Sequence, residues 1–412
     1  MRKSEFARLL KLIYSEGEIS RVDLAKKANL VPSYVSSMTL RLRQKEWIIE
    51  GGRVPSGRGR RKVLLHINPD LAHVIGVEVG RVHTRIVVTD LLGKVLHYRK
   101  LALDVSLGEQ YVLDHAHQEI KNCLQQDPKI QGIGLAHSGF IDRSTGTVLF
   151  WPKVSGWRDV HLKQLFAEEY GLTTVLEDSA RTTAIAEQRF GYGKGQKNFV
   201  FVHAGVGIGA AIFVGARLYA GRDGMAGELG HTTIDETGPL CSCGNRGCLE
   251  VYASGAAIIQ HVRKGLEQGV SSSLAALPAS ERQAVSLEAI AAAAESHDRL
   301  CETVLAEAGT HLGTALASMV NLLNPSRIIL GGTLPRVMKN LLVEPLVRSL
   351  RSRAFQHSVN RLEVMVSQQG EEGAAVGACL LTAEALLEQL CRAEDQAKVT
   401  ASASALPQTA NP

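Results

Sequence analysis

The chain has 412 residues, too many for one ordinary core, so two or three domains are expected. It contains no apolar run of the roughly 18 to 20 residues that a membrane span needs, and the amphipathic start MRKSEFARLL has no cleavable apolar region. These features predict a cytoplasmic protein without membrane insertion. The net charge of +5 is uneven: residues 1–70 hold 15 Lys/Arg against 7 Asp/Glu and the remainder 31 against 34, a basic head suited to nucleic acid on a body with a different task.

Helical spacing of Phe6, Leu9, Leu10 and Ile13 predicts a first helix over 4–15. The run Ser20-Arg21-Val22-Asp23 is a cap followed three residues later by an acid, and it opens a second helix. Asn29 and Leu30 make the turn, and Pro32 starts a third helix with Val35, Met38 and Leu42 inward and Ser33, Ser37 and Arg41 away from that stripe. Two strands around a Gly/Arg-rich loop, Glu50 to Ile67, complete a winged helix-turn-helix over 1–70.

A recognition helix enters the major groove by its N-terminal part, which makes Ser33, Tyr34, Ser37 and Arg41 the expected contacts to operator DNA. Arg58 and Arg60, within Gly57-Arg58-Gly59-Arg60-Arg61-Lys62, suit phosphate neutralisation or minor-groove insertion. The competing reading is a protein-binding module on a basic surface.

After the connector Asn68-Pro69-Asp70, strand-like runs at His73–Val79, Arg85–Asp90 and Val95–Leu101 begin a mixed α/β body, expected over 71–392. Strands at Gly132–Ala136, Thr173–Leu176 and Phe199–His203 alternate with helices, and long Ala/Leu-rich helical segments fill 284 to 392. Residues 393–412 are small and polar, and a disordered tail is expected there.

His231 precedes Cys241-Ser242-Cys243-Gly244-Asn245-Arg246-Gly247-Cys248, one imidazole and three thiols that form the ligand set of a tetrahedral structural zinc. Four protein ligands leave no position for a catalytic water, so this Zn(2+) would be architectural. Buried free cysteines beside a surface histidine are the alternative.

Glu228-Leu229-Gly230-His231 and Cys241-x-Cys243-Gly244-x-x-Gly247-Cys248-x-Glu250 resemble the two signature motifs of the ROK family of repressors, open reading frames and sugar kinases. With the winged head, the chain resembles the family's regulator branch, which includes glucose, N-acetylglucosamine and xylose repressors. The resemblance implies an α/β body of two actin-like, hexokinase-type lobes that binds sugar in their cleft. It places sugar hydroxyls against Glu228, His231 and Glu250, with Asp178 a further candidate and Lys153 standing where the family's sugar-contacting loop has asparagine. An imidazole that binds zinc through one nitrogen keeps the other for a sugar oxygen.

A family kinase needs an Asp-x-Gly-Gly-Thr phosphate loop and an aspartate base within Glu-Asn-Asp. Here the first is Glu78-Val79-Gly80-Arg81-Val82-His83-Thr84, whose side chains would crowd phosphates. The second, aligned through Gly171 to Glu177 and through Glu187, becomes Glu177-Asp178-Ser179, with Ser179 in the place of the base. Gly205-Val206-Gly207-Ile208-Gly209 and Leu330-Gly331-Gly332-Thr333 persist, consistent with a retained fold and a lost activity. The expectation is a non-enzymatic, sugar-responsive DNA-binding repressor that binds a sugar or sugar phosphate without phosphorylating it. The alternative is an ATP-dependent sugar kinase with an added head. The resemblance also implies a homodimer or homotetramer and leaves room for a transport-protein partner.

Overall fold

Phe6, Leu9, Leu10, Ile13 and Tyr14 recur at helical spacing, and they are the buried stripe of the first helix, Glu5–Glu16. The computed structural model describes residues 5–55, 61–151 and 154–404, which divide into two compact units. One comprises Met1–His137, His161–Glu177 and Ala375–Pro412; the other comprises Ser138–Val160 and Asp178–Ala374.

In the first unit, helix Arg21–Ala28 starts at Ser20, whose hydroxyl accepts from the Asp23 amide at 3.2 Å, and stops at Asn29 in the left-handed conformation. The recognition helix, Pro32–Gln44, has Pro32 in its first turn and buries Val35, Thr39 and Leu42. Thr39 takes the fully buried place expected of Met38, which is only half-buried, because the buried stripe runs i, i+4, i+7. Strands Ile48–Val54 and Lys62–Ile67 pair antiparallel as the wing, joined by Ile19–Ser20 along the second strand. Asn68 fixes the connector by accepting from the Asp70 amide at 3.1 Å and donating to the Glu46 carbonyl at 2.8 Å.

The same unit holds a five-stranded mixed sheet in the order Thr173–Asp178, Ile130–His137, His73–Val79, His83–Asp90, Val95–Ala102. The terminal helix, Gly373–Ser404, lies against it. A Cβ on Gly76 would meet the Ala375 carbonyl oxygen at 2.2 Å and one on Gly134 the Ala378 oxygen at 2.5 Å, so glycine alone permits this backbone-to-backbone approach.

That helix corrects two expectations. It continues to Ser404, past residue 393 where a disordered tail is expected, because alanine has the highest helix propensity and elongation from a formed helix is easier than nucleation. Its segment Gly373–Glu394 is also long and apolar enough to cross a membrane by composition, yet 67% of its 18-residue apolar stretch is buried in protein, as suits a core helix.

The second unit is built on a sheet in the order Arg217–Tyr219, Ile208–Val214, Phe199–Ala204, Arg327–Gly331, Glu363–Val366. One cluster of buried side chains combines this sheet with helices Gly255–Glu267, Leu287–Glu295, Arg299–Leu323 and Asn340–Arg353. A second cluster sets Phe199, Phe201 and Phe213 against Ala184 of helix Ser179–Phe190. The glycine-rich turn Gly205–Gly207 closes the hairpin between the central strands.

Candidate functional site

Two glycines make the cysteine loop possible. Gly244 and Gly247 have φ of +93° and +63°, and a Cβ on Gly247 would lie 1.6 Å from the Asp235 carbonyl oxygen. The reversals they allow bring one donor atom each from His231, Cys241, Cys243 and Cys248 within 4.8 Å of one another. Cys241 Sγ is 3.7 Å from His231 Nδ1, and Cys243 Sγ is 3.7 Å from Cys248 Sγ. Thiolates about 2.3 Å from a tetrahedral zinc stand about 3.8 Å apart, whereas a disulfide needs about 2.05 Å. The residues therefore fit a metal, and sequence spacing had identified all four.

Burial and the adjacent thiols push the Cys248 thiol up to about 12. Burial acts in the same direction on Cys243, but the Asn245 backbone and the neighbouring thiols outweigh it and hold that group below its ordinary value. A metal ion entering the cluster must therefore expel at least the Cys248 proton.

Next to the cluster lie the acids. Glu228 is reached by solvent, yet protein crowds around it, and this crowding with the Asp178 carboxylate pushes its carboxyl up to about 7; Arg181 pulls the other way and Glu250 adds to the rise. Arg181, 3% exposed, donates to the Ala226 carbonyl at 2.6 Å and so pins the turn that carries Glu228. Glu250 begins the short helix Glu250–Ala253, and its Oε2 accepts from the Ile208 amide at 3.1 Å, tying the glycine-rich turn to the same site. The His231 ring lies 5.4 Å from that of Phe140.

Asp178 caps helix Ser179–Phe190, its Oδ1 accepting from the amides of Ala180 at 2.9 Å and Arg181 at 3.0 Å. Ser179 follows in the first turn, buried, and its hydroxyl has no hydrogen-bond partner among the described residues. Glu187 is fully buried and bonds the Ser367 hydroxyl and the Tyr192 amide. It is a support within the unit.

In the other unit, the segment Glu78 to Thr84 includes a hairpin turn closed by Gly80 N to His83 O at 3.1 Å. Glu78 is buried in an ion pair with Arg85 at 3.1 Å. His137 is fully buried, and burial with the nearby Arg81 charge pushes its imidazole down to about 3. Its neutral ring serves packing.

On the head, Ser33 and Ser37 are exposed along the recognition helix. The Tyr34 hydroxyl is engaged by Glu5, which holds the phenol above its usual range. Arg41 is not with the serines: its guanidinium lies over the Phe6 ring and reaches Glu394 of the terminal helix at 3.2 Å. Arg58, Arg60 and Lys153 lie outside the described residues. Sequence reasoning missed Glu394 and Arg181, since neither sits in a motif and only packing brings them to their partners.

The ROK family profile matches residues 74–385, and the MarR family profile matches residues 5–50. The chain is 30% identical to the xylose repressor of Bacillus subtilis over 389 residues, 93% of this chain and 95% of that protein. A ROK family transcriptional regulator, homologous to the E. coli MLC protein, has a solved structure similar to this one with a TM-score of 0.79 and 30% identity, covering 94% of this chain and 96% of that one. A ROK family glucokinase from Streptomyces griseus, solved with glucose and AMPPNP, is similar with a TM-score of 0.68 and 28% identity over 75% of this chain and 99% of its own.

Proposed function

The chain belongs to the ROK family, and from that membership we propose that it is a sugar-responsive, DNA-binding transcription repressor whose body binds a sugar or sugar phosphate without phosphorylating it. The observation that carries this reading is the union of a winged head with a ROK body in one chain, similar from end to end to a xylose repressor and to a solved ROK regulator. The division falls at Asn68–Asp70, with the head on 1–70 and the body from 71.

The site residues divide by role, with Tyr34 engaged by Glu5 and Arg41 by Glu394 rather than free for DNA. Ser33 and Ser37 meet base edges and phosphates, with Arg58 and Arg60 of the wing adding charge. Glu228, His231 and Glu250 grip sugar hydroxyls, with Asp178 as a further contact and Lys153 a candidate by its place in the sequence alone. Carboxylates accept such hydroxyls, and a half-protonated Glu228 can also donate to one. Zinc held by His231, Cys241, Cys243 and Cys248 would supply a tetrahedral cross-link that fixes the loop between Glu228 and Glu250. Through Nδ1 His231 faces the cluster, which leaves Nε2 for sugar.

Two observations argue against phosphoryl transfer. Ser179 offers a hydroxyl where a family kinase has a carboxylate base, and the Glu78 carboxylate is occupied by Arg85. The active repressor is a homodimer or homotetramer in the cytoplasm, and a transport protein is a possible further partner.

Two measurements test the reading together. Thermal stability against a panel of monosaccharides, amino sugars and their phosphates should rise with one class, by about 2.7 kcal/mol at 100 times its dissociation constant. A coupled ADP-release assay on the same panel should stay silent, for the wild type and for Ser179→Asp alike. Sugar-dependent turnover at about 1 to 100 per second would replace the regulator by a kinase.

A further inference from the structure

The terminal helix touches both the body sheet and the recognition helix. Its first turns lie against the strands at Gly76 and Gly134. Further along, the Leu380 carbonyl accepts from the Tyr14 hydroxyl at 2.9 Å, and Lys11 of the first helix pairs with Glu384 and, at 3.8 Å, with Glu388. Leu387 and Cys391 line a small cavity with Ala7, Leu10 and Tyr14. At its far end Glu394, with only 15% of its side chain exposed, accepts from Arg41 at 3.2 Å and from Lys45 at 2.8 Å. Those are cations in and just beyond the last turn of the recognition helix. Lys45 also lies 5.6 Å from the centre of the Trp47 ring, and Trp47 stacks edge-on against Phe6.

The start of this helix is a crossing point. Between Ala374 and Ala375 the chain passes from the second unit into the first, within the opening turn of the helix. A helix is stiff along its axis, and at about 1.5 Å per residue the path from Gly373 to Glu394 is about 32 Å. Its first turns are seated on the strands at Gly76 and Gly134, so a shift of that sheet is carried along the helix to the far end.

We propose that the terminal helix is the strut through which the body sets the attitude of the recognition helix, with Glu394 as the positioning residue that grips Arg41 and Lys45. The proposal rests on the sugar-responsive reading above. The connector at Asn68–Asp70 tethers the head, the terminal helix holds the head's first helix at Tyr14 and Lys11, and the grip on Arg41 and Lys45 adds an attachment on the recognition helix itself. Coupling between two sites requires an element whose arrangement both can bias, and this helix is packed against one partner and ion-paired with the other.

The test uses the full-length chain as wild type, Glu394→Ala and Glu394→Asp. The DNA is a duplex selected by the wild type from a random-sequence pool, and the sugar is whichever of D-xylose, D-glucose and N-acetyl-D-glucosamine most raises its melting temperature. Glu394→Ala should keep the sugar-induced thermal shift, since Glu394 lies outside the sugar site. The sugar-induced change in DNA affinity should fall from the roughly 5- to 150-fold of ordinary coupling to under about 2-fold. Glu394→Asp should retain most of the response. Acrylamide quenching gives an independent reading, because Trp47 is half-buried while Trp151 and Trp157 are fully buried. Quenching should rise in Glu394→Ala.

A Glu394→Ala protein with the full wild-type response overturns the strut while leaving the regulator reading intact. A wild type that binds sugar with unchanged DNA affinity overturns the regulator reading and the signalling role with it. Unchanged quenching in Glu394→Ala overturns the grip on the recognition helix whatever the sugar does.

Discussion

Asp178→Asn and Asp178→Ala, measured side by side at pH 5 and pH 8, separate two contributions of one carboxylate. The first is the cap: Asp178 accepts from two amides of helix Ser179–Phe190, and loss of such a cap costs about 1 kcal/mol within a range of about 0.5 to 2. Asparagine caps as well as aspartate, so only the alanine variant should lose it, at both pH values. The second is repulsion of Glu228, whose carboxyl is pushed up to about 7 by its surroundings and by Asp178. At pH 5 Glu228 holds its proton in the folded protein, and there is no charge to repel. At pH 8 Glu228 is ionised when folded and meets the Asp178 charge, whereas in the unfolded chain the two acids are far apart. A raised carboxyl pKa therefore removes stability as pH climbs from the unfolded value through about 7. Asp178→Asn relieves part of that loss and should stabilise at pH 8 relative to pH 5, by less than about 1 kcal/mol because Glu228 is open to solvent. Urea titrations or melting curves give the numbers, 1 kcal/mol being about 2 to 4 °C for a unit of this size. Equal effects of the asparagine variant at the two pH values would refute the Asp178–Glu228 coupling. Equal stability of the two variants would refute the cap.

The purified protein should carry one zinc per chain by elemental analysis, and Cys248→Ser should lose it and lower the melting temperature; a metal-free wild type unaffected by added zinc would remove the site. Gly134→Ala should destabilise the first unit by about 1 to 3 kcal/mol in denaturant, since its Cβ would fall 2.5 Å from the Ala378 carbonyl oxygen, and a neutral effect would show that the terminal helix can back away.

The elements that local chemistry dictates were legible in advance. Ser20, Asn29 and Pro32 mark the starts and stops of the head helices, and all three act as their residue types require. The cluster of His231, Cys241, Cys243 and Cys248 was equally legible, because one imidazole and three thiols at that spacing have few other uses and glycines 244 and 247 announce the turns. Long-range pairings were hidden. Arg41 reads as an outward residue of the recognition helix, and only the arrival of a segment some 350 residues later turns it to Glu394. The same applies to the helix beyond residue 393, where composition predicts no fold: that argument counts apolar residues and gives no weight to a helix already nucleated upstream. The sequence reads Ser179 as standing in the place of a kinase's base, but its burial without a hydrogen-bond partner among the described residues depends on the surrounding loops.

The intimate seat of the terminal helix on Gly76 and Gly134 also fixes an order of events during synthesis. The strands that bear those glycines leave the ribosome about 240 to 300 residues before Ala375 and Ala378 do, which at 5 to 20 residues per second is a wait of about 12 to 60 s. Through that interval one face of the first sheet, and the side of the head that receives Glu384, Glu388 and Glu394, lack their cover. The nascent chain therefore carries an open apolar sheet through most of its elongation, a stage at which chaperones find their substrates.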